Sequence, residues 1–446
     1  MNWTSEQILA LAPDAASAKA GQGLATARKW QKLGADEQTA WGLCQGSGKD
    51  PYQTQIDLTE PAFRCSCPSR KFPCKHGLGL FLLLATQPAA FKDTKPPAWV
   101  LEWNASRAKR AQQRVEKQVR AESGEKTVDA AAQAKRAASR DAKVKTGLQE
   151  LETWLRDIVR GGLAAVQSQP PKFWERTAAR LVDAQAPGAA RLVREMAGVP
   201  ASGEGWEGRL LERLSRLYLL IEGFKRGAEL PEAAQADIRA LIGWTQNQEE
   251  LLQMDGMRDR WLVLGQRVEE EDRLRAQRIW LWGERSGRAA LILHFAHAQQ
   301  PLDASFVTGA VIEAELVFFP GAYPLRAIVK ERGGGASRPP ERISGYPKIA
   351  DAHEAFAGAI AANPWLEKFP MRLLNVTPLR HNHVNSEMWF VRDAEGRALK
   401  LAPRFEFGWT MLALSGGREI DIFGEWDGDH LWPLSAFADN RFAIFK

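Results

Sequence analysis

Residues 64–84 read RCSCPSRKFPCKHGLGLFLLL. They set Cys65, Cys67, Cys74 and His76 in the pattern C-x-C-x6-C-x-H, four metal-type ligands within twelve residues. Thiolates and an imidazole at such spacing suit one tetrahedral Zn²⁺, with sulfur near ~2.3 Å and nitrogen near ~2.0 Å from the metal. Disulfides would compete for the same cysteines. Cys65 and Cys67 are poorly placed to bridge each other, however, and the N-terminus has Glu6 and Asp14 where a secretory signal needs an apolar core. The remaining Cys44 reads as a small buried residue.

Working outward, Tyr52, Thr54, Ile56 and Leu58 alternate with Gln53, Gln55 and Asp57. This pattern predicts a half-buried strand. Thr39 to Gln45, with Trp41 and Leu43, predicts its hairpin partner, joined through Gly46 to Pro51. Cys65 and Cys67, two apart in an extended segment, fall on one side of it. Pro68 ends that segment, and Cys74 and His76 open a helix whose body is Leu78, Leu80 and Phe81 to Leu84. The positive end of that helix favours thiolate over thiol. With all four positions filled by protein, no place remains for water, so the metal is expected to be structural and not catalytic.

The segment Trp41 to Ala85 resembles a SWIM zinc finger, whose signature is C-x-C, a variable gap, then C-x-H. The run CQGSGKDPYQTQIDL (residues 44–58) followed by FRCSCPSRKFPCKH (63–76) is similar to bacterial stand-alone SWIM proteins in particular. The resemblance covers about a tenth of the chain and implies that Cys65, Cys67, Cys74 and His76 are zinc ligands. SWIM modules occur in chromatin-type ATPases, plant transposases and recombination-associated proteins, and the family is proposed to bind DNA or proteins. Bacterial members are often encoded beside MoxR-type AAA ATPases and von Willebrand A (VWA) domain proteins, which the resemblance therefore implies as partners.

Length and composition bound the rest. At 446 residues, 45% hydrophobic and 26% charged, the chain is long enough for several domains with ample cores. Its longest apolar run, Leu78 to Ala85, is far short of the ~20 residues a membrane helix needs. A cytoplasmic location is the expectation. The 17 Trp are spread from Trp3 to Trp432, which favours general core use over one aromatic platform.

Charge is uneven. Residues 105–145 hold twelve Lys and Arg against five Asp and Glu, a local +7, whereas the whole chain carries +6. Arg64, Arg70, Lys71 and Lys75 crowd the zinc ligands. Arg107, Lys109, Arg110 and Arg114 open the basic segment. Such a surface suits contact with nucleic-acid phosphates, with affinity falling steeply as salt rises; a solvated, highly charged linker is the equal alternative.

The predicted fold class is α+β multidomain, in four parts. Residues 1–104 form a ββα zinc module, 105–146 a basic helical connector, 147–255 a helical bundle, and 256–446 an antiparallel β-rich sandwich or barrel. The bundle rests on helical stripes at Leu148, Leu151, Leu155, Ile158 and Val159, then at Leu210, Leu211, Leu214, Leu217, Tyr218, Ile221 and Phe224, and at Ile238, Leu241 and Ile242. These predict five or six helices. Beyond Gly256 the period becomes two, predicting strands at 261–268, 278–284, 289–295, 311–318, 325–330, 371–376, 387–391, 409–414 and 419–425. One helix interrupts them, with Asp351 and Glu354 placed as a capping box and its end at Asn363.

Weaker signals are read plainly. Gly46-Ser47-Gly48-Lys49 lacks phosphate-loop spacing and is a turn. His381, Asn382, His383 and Glu387, or His294 with His297, lack a metal-site frame, and satisfied histidines are the simpler reading. Trp280 and Trp282 on one strand face read as core. No nucleophile–base motif emerges. The expected function is a non-enzymatic, zinc-binding interaction protein that binds nucleic acid. The alternatives are a protein adaptor working with a MoxR-type ATPase and a VWA-domain protein, and an enzyme in the β-rich region.

Overall fold

The N-terminal hairpin is the middle of a four-stranded antiparallel sheet in chain order: β1 (Trp30–Ala35), β2 (Thr39–Cys44), β3 (Tyr52–Asp57) and β4 (Ala62–Cys65). The computed structural model describes all residues except 1–2, 10, 47–49, 59–61, 70, 108–129, 272–273, 298–301, 334–343, 384–385, 440 and 446. Strand β1 escapes a period-two reading because a bulge between Gln31 and Gly34 shifts the register, with Lys32 at φ 49°. Two helices precede the sheet, α1 (Ser5–Leu9) and α2 (Ala15–Gln22), and α3 (Lys75–Thr86) follows it.

Helix α3 is apolar all round because it is covered all round. Leu78, Leu80, Phe81, Leu82 and Leu83 are buried in one core with Ile8, Ala40, Ile56 and Phe63. Its crossing with α2 is close: a Cβ on Gly21 would lie 2.8 Å from Leu78 Cβ. The opposite sheet face meets a helix over residues 98–107 (α4). Asn104 Nδ2 donates to Thr39 Oγ1 at 3.0 Å, and Arg107 Nε donates to Asp57 Oδ2 at 3.0 Å.

The central region is helical. Helix α5 (Ala130–Gly161) runs through position 146, and its buried stripe begins at Val144. Then come α6 (Ala164–Gln167), α7 (Pro171–Asp183), α8 (Pro187–Met196), α9 (Trp206–Arg226), α10 (Glu232–Ile242) and α11 (Gln248–Leu252). Pro171 and Pro187 open their helices, where a missing N–H costs nothing. Trp174, Val193, Leu210, Leu214 and Ile238 share one core with the α5 stripe. Helices α8 and α10 touch backbone to backbone, since a Cβ on Gly188 would lie 2.1 Å from the Leu241 carbonyl oxygen. Gly188→Ala is expected to lower bundle stability by about 1–3 kcal/mol, read as an earlier denaturant midpoint in far-UV circular dichroism. An unchanged midpoint would contradict this packing.

The C-terminal region holds a closed five-stranded barrel and a six-stranded antiparallel sheet. The barrel strands are β5 (Met257–Glu271), β6 (Leu274–Gly283), β7 (Ala289–His297), β8 (Val311–Phe318) and β9 (Arg326–Arg332), in the order β5-β6-β7-β9-β8. All pairs are antiparallel except β7 with β9. After α12 (Ile349–Ala362) come β10 (Phe369–His383), β11 (Ser386–Arg392), β12 (Ala398–Lys400), α13 (Gly408–Ser415), β13 (Ile420–Trp426), β14 (Leu431–Ala438) and β15 (Arg441–Ile444). The sheet order is β12-β11-β10-β13-β14-β15.

Two expectations are corrected. Residues 409–414 form helix α13, not a strand; Met411 is buried, Trp409 is exposed, and Gly416 at φ 57° terminates the helix in the left-handed region. An apolar run this short carries no period that separates helix from strand. Helix α12 exists but Asp351 is not its cap. The N-cap is Lys348, and the free Ile349 N–H donates to Asp393 Oδ2 at 2.9 Å from a distant turn.

Candidate metal centre

Local structure delivers each ligand. The β3–β4 register sets Cys65 beside Thr54, with Sγ and Oγ1 3.2 Å apart. Cys67 follows two residues on, before Pro68. Cys74 is the N-cap of α3, in extended conformation, and its Sγ accepts from the Gly77 N–H at 3.5 Å. His76 lies in the first turn of the same helix and turns Nδ1 to the sulfurs, 3.8 Å from Cys65 Sγ and 3.9 Å from Cys74 Sγ.

All four ligand atoms fall within 4.8 Å of one another. A tetrahedron with bonds of ~2.3 Å has edges of about 3.8 Å, so the spacing fits one small cation. Cys74 and His76 are buried, Cys65 and Cys67 half-buried, and none of the cysteines is in a disulfide. No other group of three or more His, Cys, Asp or Glu side chains converges in this way among the described residues.

The ligands perturb one another. A hydrogen bond from Cys65 holds the Cys74 thiol far below its usual range against the opposing effect of burial, with His76 and the Gly77 N–H assisting. The same contact, followed by burial, pushes Cys65 up, and burial pushes Cys67 up. The sulfurs therefore share proton and charge as a cluster. A divalent cation at their centre would neutralise the thiolates directly.

The surroundings are cationic in part. Lys71 Nζ pairs with Asp14 Oδ2 at 2.6 Å, tying the ligand loop to the start of α2. The hydrogen bond from Lys71, then that from the Ser17 N–H, lowers the Asp14 carboxyl to about 2. Between α2 and the ligand loop runs a groove of about 650 Å³, walled by Ala16, Ala20 and Leu24 and, opposite, by Tyr52, Lys75 and His76. The Tyr52 ring lies 5.0 Å from the His76 ring.

The basic residues singled out in the sequence do not form one patch. Lys71 and Lys75 flank the groove, whereas Arg64 pairs in register with Gln55 on the other sheet face. That is also the face where Arg107 meets Asp57. Arg70, Lys109, Arg110 and Arg114 lie outside the described residues, as do Ser47 to Lys49 and the side chains of Asn382 and His383. Sequence reasoning missed Asp14 and the groove role of Tyr52. The N-cap spacing of Asp14 and Ser17 was a legible signal for the first.

Comparison with known families matches residues 52–85 to the SWIM zinc finger and residues 139–242 to the SWIM-associated four-helix bundle domain. No curated protein and no solved structure matches the chain. The chain therefore carries a SWIM zinc finger, on β3, β4 and α3, and a SWIM-associated helical bundle that starts within α5.

Proposed function

We propose that this protein is a non-enzymatic, cytoplasmic interaction module, that its metal is zinc, and that it binds nucleic acid through the finger and the basic segment behind it. The observation that carries the reading is the closed Cys3His set, whose donors all come from protein and leave no position for a reacting ligand. Lys75 beside the ligands, and the +7 excess at 105–145, supply attraction for phosphate. No described helix is long and apolar enough to cross a membrane. In mobility-shift titrations across a salt series, log affinity is expected to fall linearly with log salt, by about 0.7–0.9 per phosphate contacted. Lys75→Gln is expected to flatten that slope. Absent or salt-independent binding would sink the nucleic-acid reading.

A second reading, a protein adaptor for a MoxR-type ATPase and a VWA-domain protein, is favoured by the bundle surface. Val159, Leu211 and Tyr218 are 57%, 48% and 38% exposed. With Leu155 and Leu214 they line a groove of about 390 Å³ between α5 and α9, rimmed by Arg156 and Arg160. Exposed apolar strips of this kind mark partner surfaces. Co-purification of the full chain with those two proteins tests it, and their absence from the bound fraction would count against it.

A further inference from the structure

The buried ligand His76 has a second ring nitrogen that the metal does not use. His76 is 5% exposed and turns Nδ1 to the sulfurs, 3.8 Å from Cys65 Sγ and 3.9 Å from Cys74 Sγ. Its Nε2 meets no acceptor among the described residues. A histidine that holds a metal ordinarily donates its other N–H to a carboxylate, a carbonyl or a water. The His76 side chain forms part of the wall of the 650 Å³ groove between α2 and the ligand loop, so a ligand in that groove is placed to accept from it.

The rest of the groove is shaped for a flat, partly apolar group. Ala16, Ala20 and Leu24 recur at one-turn spacing along α2 and just past its end, and give one smooth apolar wall. Across from them is the half-buried ring of Tyr52, 5.0 Å from the His76 ring. Gly46 lets the backbone close on that ring and hold it, since a Cβ there would fall 2.1 Å from Tyr52 Cε2. Lys71 also lines the groove but is taken by Asp14, at 2.6 Å. That leaves Lys75, exposed at the rim, as the cation free to meet an anion among the described lining residues. An aromatic ring facing small apolar side chains suits the face of a nucleobase, and a lysine beside it suits the phosphate. Base faces are hidden in a duplex stack and offered by a single strand.

We propose that this groove is a nucleotide subsite for single-stranded nucleic acid. One base lies between Tyr52 and the wall of Ala16, Ala20 and Leu24, its phosphate meets Lys75, and the His76 Nε2–H donates to an oxygen of the bound nucleotide. The inference rests on the nucleic-acid reading above and adds to it the place of contact and the strand state. The basic segment at 105–145 attracts any strand by charge, whereas the groove discriminates single from double strands.

Fluorescence anisotropy of the full zinc-loaded chain, with a labelled single-stranded DNA oligonucleotide and with its duplex at one salt concentration, tests the subsite. Ala16→Trp fills the groove from an exposed position on α2, and Tyr52→Leu removes the ring. Zinc content and melting temperature report whether each variant is folded; should Tyr52→Leu lose zinc, Ala16→Trp alone decides. The parent is expected to bind the single strand at least about tenfold more tightly than the duplex, and the variants to lose about that factor for the single strand with duplex binding unchanged. Equal affinity for the two forms, or single-strand binding untouched by Ala16→Trp, overturns the subsite and leaves the salt-dependent nucleic-acid reading standing. Absence of binding to either form removes that reading and the subsite with it.

Discussion

Treating the protein with a strong chelator is expected to melt residues 30–86 as a unit while the helical bundle keeps its structure. The four ligands join β4 to the start of α3, and α3 gives Leu78, Leu80, Phe81, Leu82 and Leu83 to the N-terminal core. A structural zinc contributes about 10–16 kcal/mol to small units of this kind, more than so few buried side chains can replace. The bundle core shares no buried residue with the N-terminal one. Val307 and Ala310, beside β8, do pack into the N-terminal core, so chelation is expected to loosen that edge of the barrel region as well. Thermal unfolding with and without chelator reads the effect as the loss of one transition. A first transition that stays in place would show that the metal does not hold the module together.

Glu425→Ala is expected to cost about 3–5 kcal/mol, the usual penalty for stranding a buried charge partner. The Glu425 side chain is fully buried on β13 and answers three barrel residues at once. It accepts from Arg278 Nε at 2.9 Å and from Trp280 Nε1 at 2.9 Å, and Arg267 Nη1 lies 3.4 Å away. Around it, Leu262, Leu264, Phe423 and Leu434 exclude water. Removing the carboxylate takes from Arg267 and from Arg278 one of the two acids each meets, leaving both to share Glu269. Denaturant unfolding followed by tryptophan fluorescence measures the loss. Exchanging Arg278 and Glu425 together for Met and Leu is expected to recover most of it, because the charges are then removed as a pair. A single mutant within about 0.5 kcal/mol of the parent would mean that the pair does not fasten barrel to sheet.

The metal centre was almost wholly legible in the sequence because its chemistry is carried by residue type and spacing. Cys65, Cys67, Cys74 and His76 needed only a turn and a helix start to meet, and Pro68 and the leucine run announced both. The helical bundle and the β-rich end were legible as periods of 3.6 and 2. The failures have local causes. Residues 409–414 are too short and too uniformly apolar to show a period. Strand β14 hides because nearly every residue is buried and Pro433 interrupts it. The apolar residues read into the bundle faces at Val159, Leu211 and Tyr218 instead line a surface groove, a distinction no periodicity makes. The basic residues showed the limit of charge counting: Arg107 is taken by Asp57, and Lys71 by Asp14.

The most direct test of the central claim is metal content per chain, measured on freshly purified protein beside Cys74→Ser and Cys44→Ser. Cys44 is buried in the same core but lies outside the ligand set, so its variant controls for the loss of a thiol alone. One zinc per chain, retained in Cys44→Ser and lost in Cys74→Ser, is the expected result. No zinc in the parent protein, or zinc untouched by Cys74→Ser, would contradict the account.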